Sequence, residues 1–146
     1  MSFSLDLSNA IGNIKENRDK IVRGTLFSLS TKIIKRTPVG NPSLWAPQSL
    51  PAPDGYVGGS LRGGWQASTN TPELSRTNRI DKSGGATIGD MANTINSFQI
   101  GNKFYLTNPL PYARRVEFGW SYRQAPQGMV RRTIKEAQTE LNRLAK

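Results

Sequence analysis

Apolar positions in the first quarter of the chain recur at the spacing of one helical face. Leu7, Ile11, Ile14, Ile21, Val22, Leu26, Leu29, Ile33 and Ile34 step mostly by three, four or seven residues, which predicts one long amphipathic helix over residues 7–36. Asp6 or Ser8 is placed to cap its start. The Thr37-Pro38 step ends it, because a proline disfavours helical geometry at the residue before it. Gly24 falls mid-helix, where glycine costs about 1 kcal/mol relative to alanine. A kink, a close helix approach or a small residue tolerated by packing would each accommodate it.

Beyond this helix the periodicity stops. Residues 37–60 hold Pro38, Pro42, Pro47, Pro51 and Pro53, and no element of useful length fits between them. Structureless stretches of this length are uncommon in a compact domain unless they have a task. Leu44, Trp45, Leu50, Tyr56 and Val57 make the section too apolar for a plain linker. It is therefore expected to be a loop or arm that packs on a neighbouring chain, with packing on its own domain as the alternative. Leu61, Trp65 and Ala67 alternate imperfectly with polar residues, which predicts a turn and a short strand. A polar loop follows. Ile88, Met91, Ala92, Ile95 and Phe98 return to helical spacing, and Phe104 to Thr107 read as a strand closed by the turn residues of Asn108-Pro109-Leu110-Pro111. Tyr112 and Arg114 to Phe118 predict a single helical turn stopped by Gly119, with Trp65, Tyr112 and Phe118 expected in the core. Val130, Ile134, Ala137, Leu141 and Leu144 step four, three, four, three, the stripe of a last helix. The expected architecture is α+β: a long N-terminal helix and a C-terminal helix packed on a small, mostly antiparallel sheet, with a long Pro-rich loop or arm. Residues 1–146 form one domain on this reading, as a chain of this length supports a single core.

Composition changes the picture by exclusion. The chain has no histidine and no cysteine, which removes the usual general base near neutral pH, the thiolate nucleophile and the commonest zinc ligands. The Gly-Gly runs lack the Gly-Lys-Ser/Thr ending of a phosphate-binding loop. Asp54, Asp81, Asp90 and Glu117 lie far apart for paired-carboxylate chemistry. No enzyme activity, cofactor, metal or small-molecule substrate is expected. No apolar run of signal-peptide or membrane-spanning length occurs, so a soluble protein without a cleaved leader is expected.

Charge points towards partners. Lys and Arg number 20 against 10 Asp and Glu, a net charge of +10, which favours anionic partners. Lys15, Arg18, Lys20 and Arg23 on the first helix, with Arg131, Arg132 and Lys135 on the last, are candidates for contact with DNA phosphates or with an acidic protein face; a plainly solvated face would carry the same charges. Trp120, Tyr122 and Arg123 make an aromatic and guanidinium patch of the kind enriched at protein interfaces. Glu117 is the only acid between Asp90 and Glu136, close in sequence to Arg114 and Arg115, and an Arg-Glu pair there would fix orientation. Trp45, Tyr56, Arg114, Arg115, Glu117, Trp120, Tyr122 and Arg123 are thus the candidate interface residues.

Several of these residues recur in one order. Thr37, Pro38 and Val39 follow the long helix; Leu61, Arg62 and Trp65 come next; then Asn108; Pro111, Tyr112 and Ala113; Glu117, Phe118 and Gly119; and Pro126, Gly128 and Met129 before the last helix. This series resembles the tail-component family of tailed bacteriophages, the small neck or tail-completion proteins grouped with lambda-type minor tail protein Z, and it spans roughly residue 7 to residue 140. The insert between Val39 and Leu61 departs from the family, many of whose members pass directly to an aspartate-threonine-glycine turn.

The resemblance implies a structural virion protein of the head-tail junction, assembled in the cytoplasm of the bacterial host. It would be a ring-forming tail-completion subunit that joins tail tube to connector around the DNA channel. The implied partners are further copies in a hexameric or dodecameric ring, the adjacent neck, tail-terminator or tail-tube proteins, and genomic DNA held without sequence specificity; no membrane is implied. A tail-terminator ring and a nonspecific DNA-binding protein are the alternatives.

Overall fold

The computed structural model describes residues 3–45 and 49–146, and within these the helices carry an α+β fold with a single two-stranded antiparallel sheet. Helix α1 spans Phe3–Arg36. It is followed by a 3-10 turn at Pro42–Leu44, a short helix α2 (Ser60–Gly63), strand β1 (Gln66–Thr69), helix α3 (Gly85–Ser97), strand β2 (Phe104–Thr107), a helical turn α4 (Ala113–Glu117) and helix α5 (Val130–Leu144). No described helix is long and apolar enough to cross a membrane.

β1 and β2 pair with Gln66 opposite Thr107 and Thr69 opposite Phe104. The pairing is extended by Asn70, whose amide donates to the Lys103 carbonyl while its side chain accepts from the Lys103 amide. An isolated two-stranded ribbon is marginal in water, so the sheet depends on what covers it. α3 packs on β1 and, on its other side, on the C-terminal half of α1, which α5 flanks. Arg23 of α1 donates through Nε to the Phe98 carbonyl at the end of α3, whereas Ile34 lies against Gly84 at its start, so these helices run antiparallel. Ile33, Ile34, Leu61, Trp65, Met91, Ile95, Val116 and Met129 form the core.

The predicted elements are present, with four differences. First, α1 already runs from Phe3, so Ser8 lies inside the helix and does not cap it; the side chains of Asp6, Leu7, Ile11 and Leu144 lie outside the described residues. Second, the apolar positions of α1 form two stripes. Leu26, Ile33 and Ile34 face the body, but Ile14 and Ile21 are each 69% exposed. At 3.6 residues per turn those two isoleucines point about 160–180° away from the mean direction of Leu26, Ser30 and Ile34. Third, Ile134 and Leu141 flank the packed side of α5 and are exposed. Fourth, Phe118 is exposed, whereas Trp65 is buried and Tyr112 half-buried as expected for core residues. Phe118 sits just past the end of α4, on the side occupied by arginine side chains. Gly24 neither interrupts α1 nor admits a neighbour within 4 Å.

Candidate interaction surface

The residues of the ordered motif series lock the termini of helices to one another. Thr37, fully buried, ends α1: its hydroxyl donates to the Ile33 carbonyl at 2.8 Å and accepts Nε1–H of the buried Trp65 at 2.7 Å. The last carbonyls of a helix have no intrahelical partner, and here Arg62 supplies one. Its guanidinium donates to the Thr37 carbonyl from Nε and Nη2, to Lys35 from Nη2, and to Lys82 from Nη1. Burial lowers the Arg62 pKa and nearby Asp81 opposes that shift. Asn108 accepts from the Leu110 amide and donates to the Leu61 carbonyl at 2.7 Å, tying the turn after β2 to α2. Arg79 adds bonds to the Gly63 and Trp65 carbonyls and an ion pair with Asp90. Gly63 permits this approach, since a Cβ there would lie 2.4 Å from the Arg79 carbonyl oxygen.

Two carboxylates cap helices from a distance. At α5 the residue in the capping position is Met129, which has no oxygen to offer. Glu117 reaches in from α4: Oε2 accepts the amides of Met129 and Val130 at 2.8 and 2.9 Å, and Oε1 accepts the Arg131 amide at 2.8 Å and its Nε. Burial pushes the Glu117 pKa up, but these four donors outweigh it and hold the carboxyl below its usual range. Gly128 makes the arrangement fit: its φ is +79°, and a Cβ would meet the Glu117 carbonyl oxygen at 2.3 Å. Capping by a carboxylate at a helix N-terminus is worth about 1 kcal/mol or more. Glu117 therefore pairs with Arg131 of α5, not with Arg114 or Arg115, and is turned away from the interface to which its sequence neighbours assign it.

Asp81 does the same for α3. Buried, it accepts from the Gly84 amide, the Ser83 hydroxyl, and both the amide and the hydroxyl of Thr87. Burial raises its pKa, but the hydrogen bonds prevail and bring it from 3.8 to about 2. A carboxylate so fully engaged is a cap, with no lone pair poised for proton transfer.

With Glu117 turned inward, the surface after α4 is left to aromatics and arginines. Phe118, Trp120 and Tyr122 are 62%, 63% and 52% exposed. Guanidinium carbons lie over their rings: Arg114 and Arg131 at 5.9 and 4.6 Å from the Phe118 centroid, Arg115 at 6.0 Å from Trp120, and Arg123 at 5.5 Å from Tyr122. Cation–π contacts at exposed sites contribute about 0.5–1 kcal/mol each, a modest bias towards these placements. Gly119, with φ +91°, turns the chain here. Along one short exposed segment Trp120 is thus paired with Arg115, Tyr122 with Arg123, and Phe118 with Arg114 and with Arg131 of α5.

Trp45 and Tyr56 belong to a different place. They pack edge-to-face at 5.4 Å within the Pro-rich section, and the Tyr56 hydroxyl lies over Gly40. The base of this section is closed, because Gly58 abuts the Gly40 carbonyl so tightly that a Cβ would come within 2.1 Å of its oxygen. Residues 41–57 form a loop whose two ends touch; residues 46–48 within it lie outside the described set.

The candidate DNA or acidic-partner residues separate into two groups. Lys15, Arg18 and Lys20 are exposed on the outer half of α1, where Lys20 pairs with Glu16. Arg23, Arg131 and Arg132 are engaged with Phe98, Glu117 and Glu136 respectively, and Lys135 is exposed on α5. An open cleft of about 380 Å³ beside the end of α1 is lined by Lys35, Arg36, Arg62 and Arg132. Arg36 and Arg132 share Glu136 as their ion-pair partner there. No group of acidic side chains suited to a metal ion occurs among the described residues.

Sequence reasoning missed Arg62, Arg79 and Asp81 as organisers of the fold. Most of their partners are backbone groups, between 3 and 27 residues away, and nothing in local periodicity marks such bonds. Comparison of the chain with protein-family models, with curated proteins and with solved structures finds no match.

Proposed function

We propose that this chain is a structural protein of the head-tail junction of a tailed bacteriophage, a ring-forming tail-completion subunit that joins tail tube to connector around the DNA channel. One observation carries the reading. The residues in which the resemblance resides serve one another: Thr37 holds Trp65, Arg62 caps the helix that Thr37 ends, Asn108 ties to Leu61, and Gly128 makes room for Glu117 to cap α5. A set of residues so interdependent is kept or lost together, which gives the ordered series a physical cause.

Surfaces outside this scaffold suit assembly. The outer half of α1 presents Ile14 and Ile21, the loop of residues 41–57 presents Leu50, and the segment after α4 presents Phe118, Trp120 and Tyr122. Three separate exposed apolar features on one small domain fit a subunit that meets different neighbours with different faces, as head-to-tail rings require.

Light scattering and negative-stain imaging of the purified protein, alone and mixed with tail tubes, test the reading. Rings, or density added at one end of the tubes, are the expected result. A monomer that ignores tubes and instead binds duplex DNA tightly at low salt would replace it with the nonspecific DNA-binding reading, which the exposed Lys15, Arg18 and Lys20 and the net charge of +10 favour.

A further inference from the structure

We propose that the aromatic and arginine surface after α4 docks an acidic face of a protein other than this one. This deepens the structural-subunit reading by giving the chemistry of one partner. The surface carries Arg114, Arg115 and Arg123 beside Phe118, Trp120 and Tyr122. None of the ion pairs among the described residues includes those three arginines. Glu117, the one carboxylate of the segment, is used up as the cap of α5. What remains outside is a cationic, partly apolar surface without a counter-charge.

Among its described side chains, a second copy of the chain has little counter-charge to offer. Asp81 is buried as a cap, and Glu16, Asp90, Glu136 and Glu140 are committed to Lys20, Arg79, Arg36 and Arg143. Among the described acidic side chains this leaves Asp19 on α1, Asp54 in the Pro-rich loop and Glu73 after β1. The Glu73 carboxylate already accepts from Ser75. These three sit in separate elements, so the described side chains form no acidic face to meet the arginines of residues 114–123.

Nucleic acid fits less well. Sequence-tolerant binding of single strands stacks bases on open aromatic faces, and here a guanidinium already lies over each ring. Duplex phosphates would use the arginines and leave the exposed rings without a role. An acidic protein face uses both. Contact with the rings biases where each planar guanidinium sits, so less freedom is lost when it forks onto a carboxylate. The rings meanwhile add the aromatic contact area on which interface energy concentrates.

Fluorescence anisotropy on the full-length protein tests this with two probes: a labelled glutamate-rich peptide with interspersed phenylalanines, and an oligothymidylate of equal charge. The peptide is expected to bind more tightly. Combining R114Q, R115Q and R123Q should weaken it roughly tenfold, at a few tenths to 1 kcal/mol per exposed charge pair. W120A should weaken it several-fold with no change of charge, while K15Q, R18Q and K20Q together should alter it less than about twofold. All these side chains are exposed, and thermal melts establish that each variant is folded.

Failure of the peptide to bind overturns the proposal. So does tighter binding of the oligothymidylate through the same surface, an equal loss from the α1 substitutions, or self-association that the triple variant abolishes without any peptide. If the peptide fails while rings form on tail tubes, this inference falls and the neck reading stands; if the peptide binds to a protein that ignores tubes, the reverse holds.

Discussion

Asp81 gives the residue scale its clearest chemistry. One buried carboxylate satisfies four donors at the start of α3 and keeps a pKa of about 2. Because the folded-state value lies below the unfolded one, its contribution is fully present above about pH 4 and is lost as the pH falls through the folded value. Asp81→Asn, which keeps the shape but loses the charge and one acceptor, should therefore lower the urea midpoint most above pH 5. The gap between the two proteins should close progressively between about pH 4 and pH 2. A gap independent of pH would mean that shape, not charge, holds the cap. Glu117 obeys the same sign with a pKa lowered by the amides of α5.

At this scale the sequence was legible in part. Trp65 is conspicuous as a buried aromatic, and Gly119 as a turn with positive φ. The partner of Glu117 was hidden, because proximity along the chain favours Arg114 and Arg115. Space instead brings the amides of Met129, Val130 and Arg131 to its carboxylate.

Elements were easier to find than their surroundings. The helical period over residues 7–36, the short strands and the stepping from Val130 to Leu144 all locate real segments. A period does not say whether a face is covered, which is why the isoleucines of α1 read as one core-facing series although Ile14 and Ile21 face the other way from the packed half. The Pro-rich section was legible as lacking regular structure, but its closed base was not, since Gly40 and Gly58 meet only in space. Replacing residues 41–57 with a short glycine linker should therefore leave the melting temperature within a few degrees of the parent, a change of less than about 1 kcal/mol. Ring formation or tube binding should be lost. A large drop in melting temperature would show that the loop belongs to the fold, and not to a contact between subunits.

For the molecule as a whole, the balance of charge and apolar surface decides behaviour. The body closes its core and helix ends, whereas the outer half of α1 adds Ile14 and Ile21, which none of the described residues covers. Ile14→Glu with Ile21→Glu should lower self-association, read as weight-average mass by light scattering, and leave the melting temperature unchanged within about 2 °C because neither side chain packs on the body. An unchanged mass would move the subunit contact to another face.

The loop with touching ends has a mechanical consequence. A pull on its tip enters the domain and leaves it at nearly one point, beside the close contact of Gly40 with Gly58, so no pair of core elements is drawn apart by it. If it makes the proposed subunit contact, the loop would work as a handle. A neighbour can grip it, strain it or differ in how far away it stands, and the hydrogen-bonded junction of α1, α2 and α5 is carried along as a unit without being deformed.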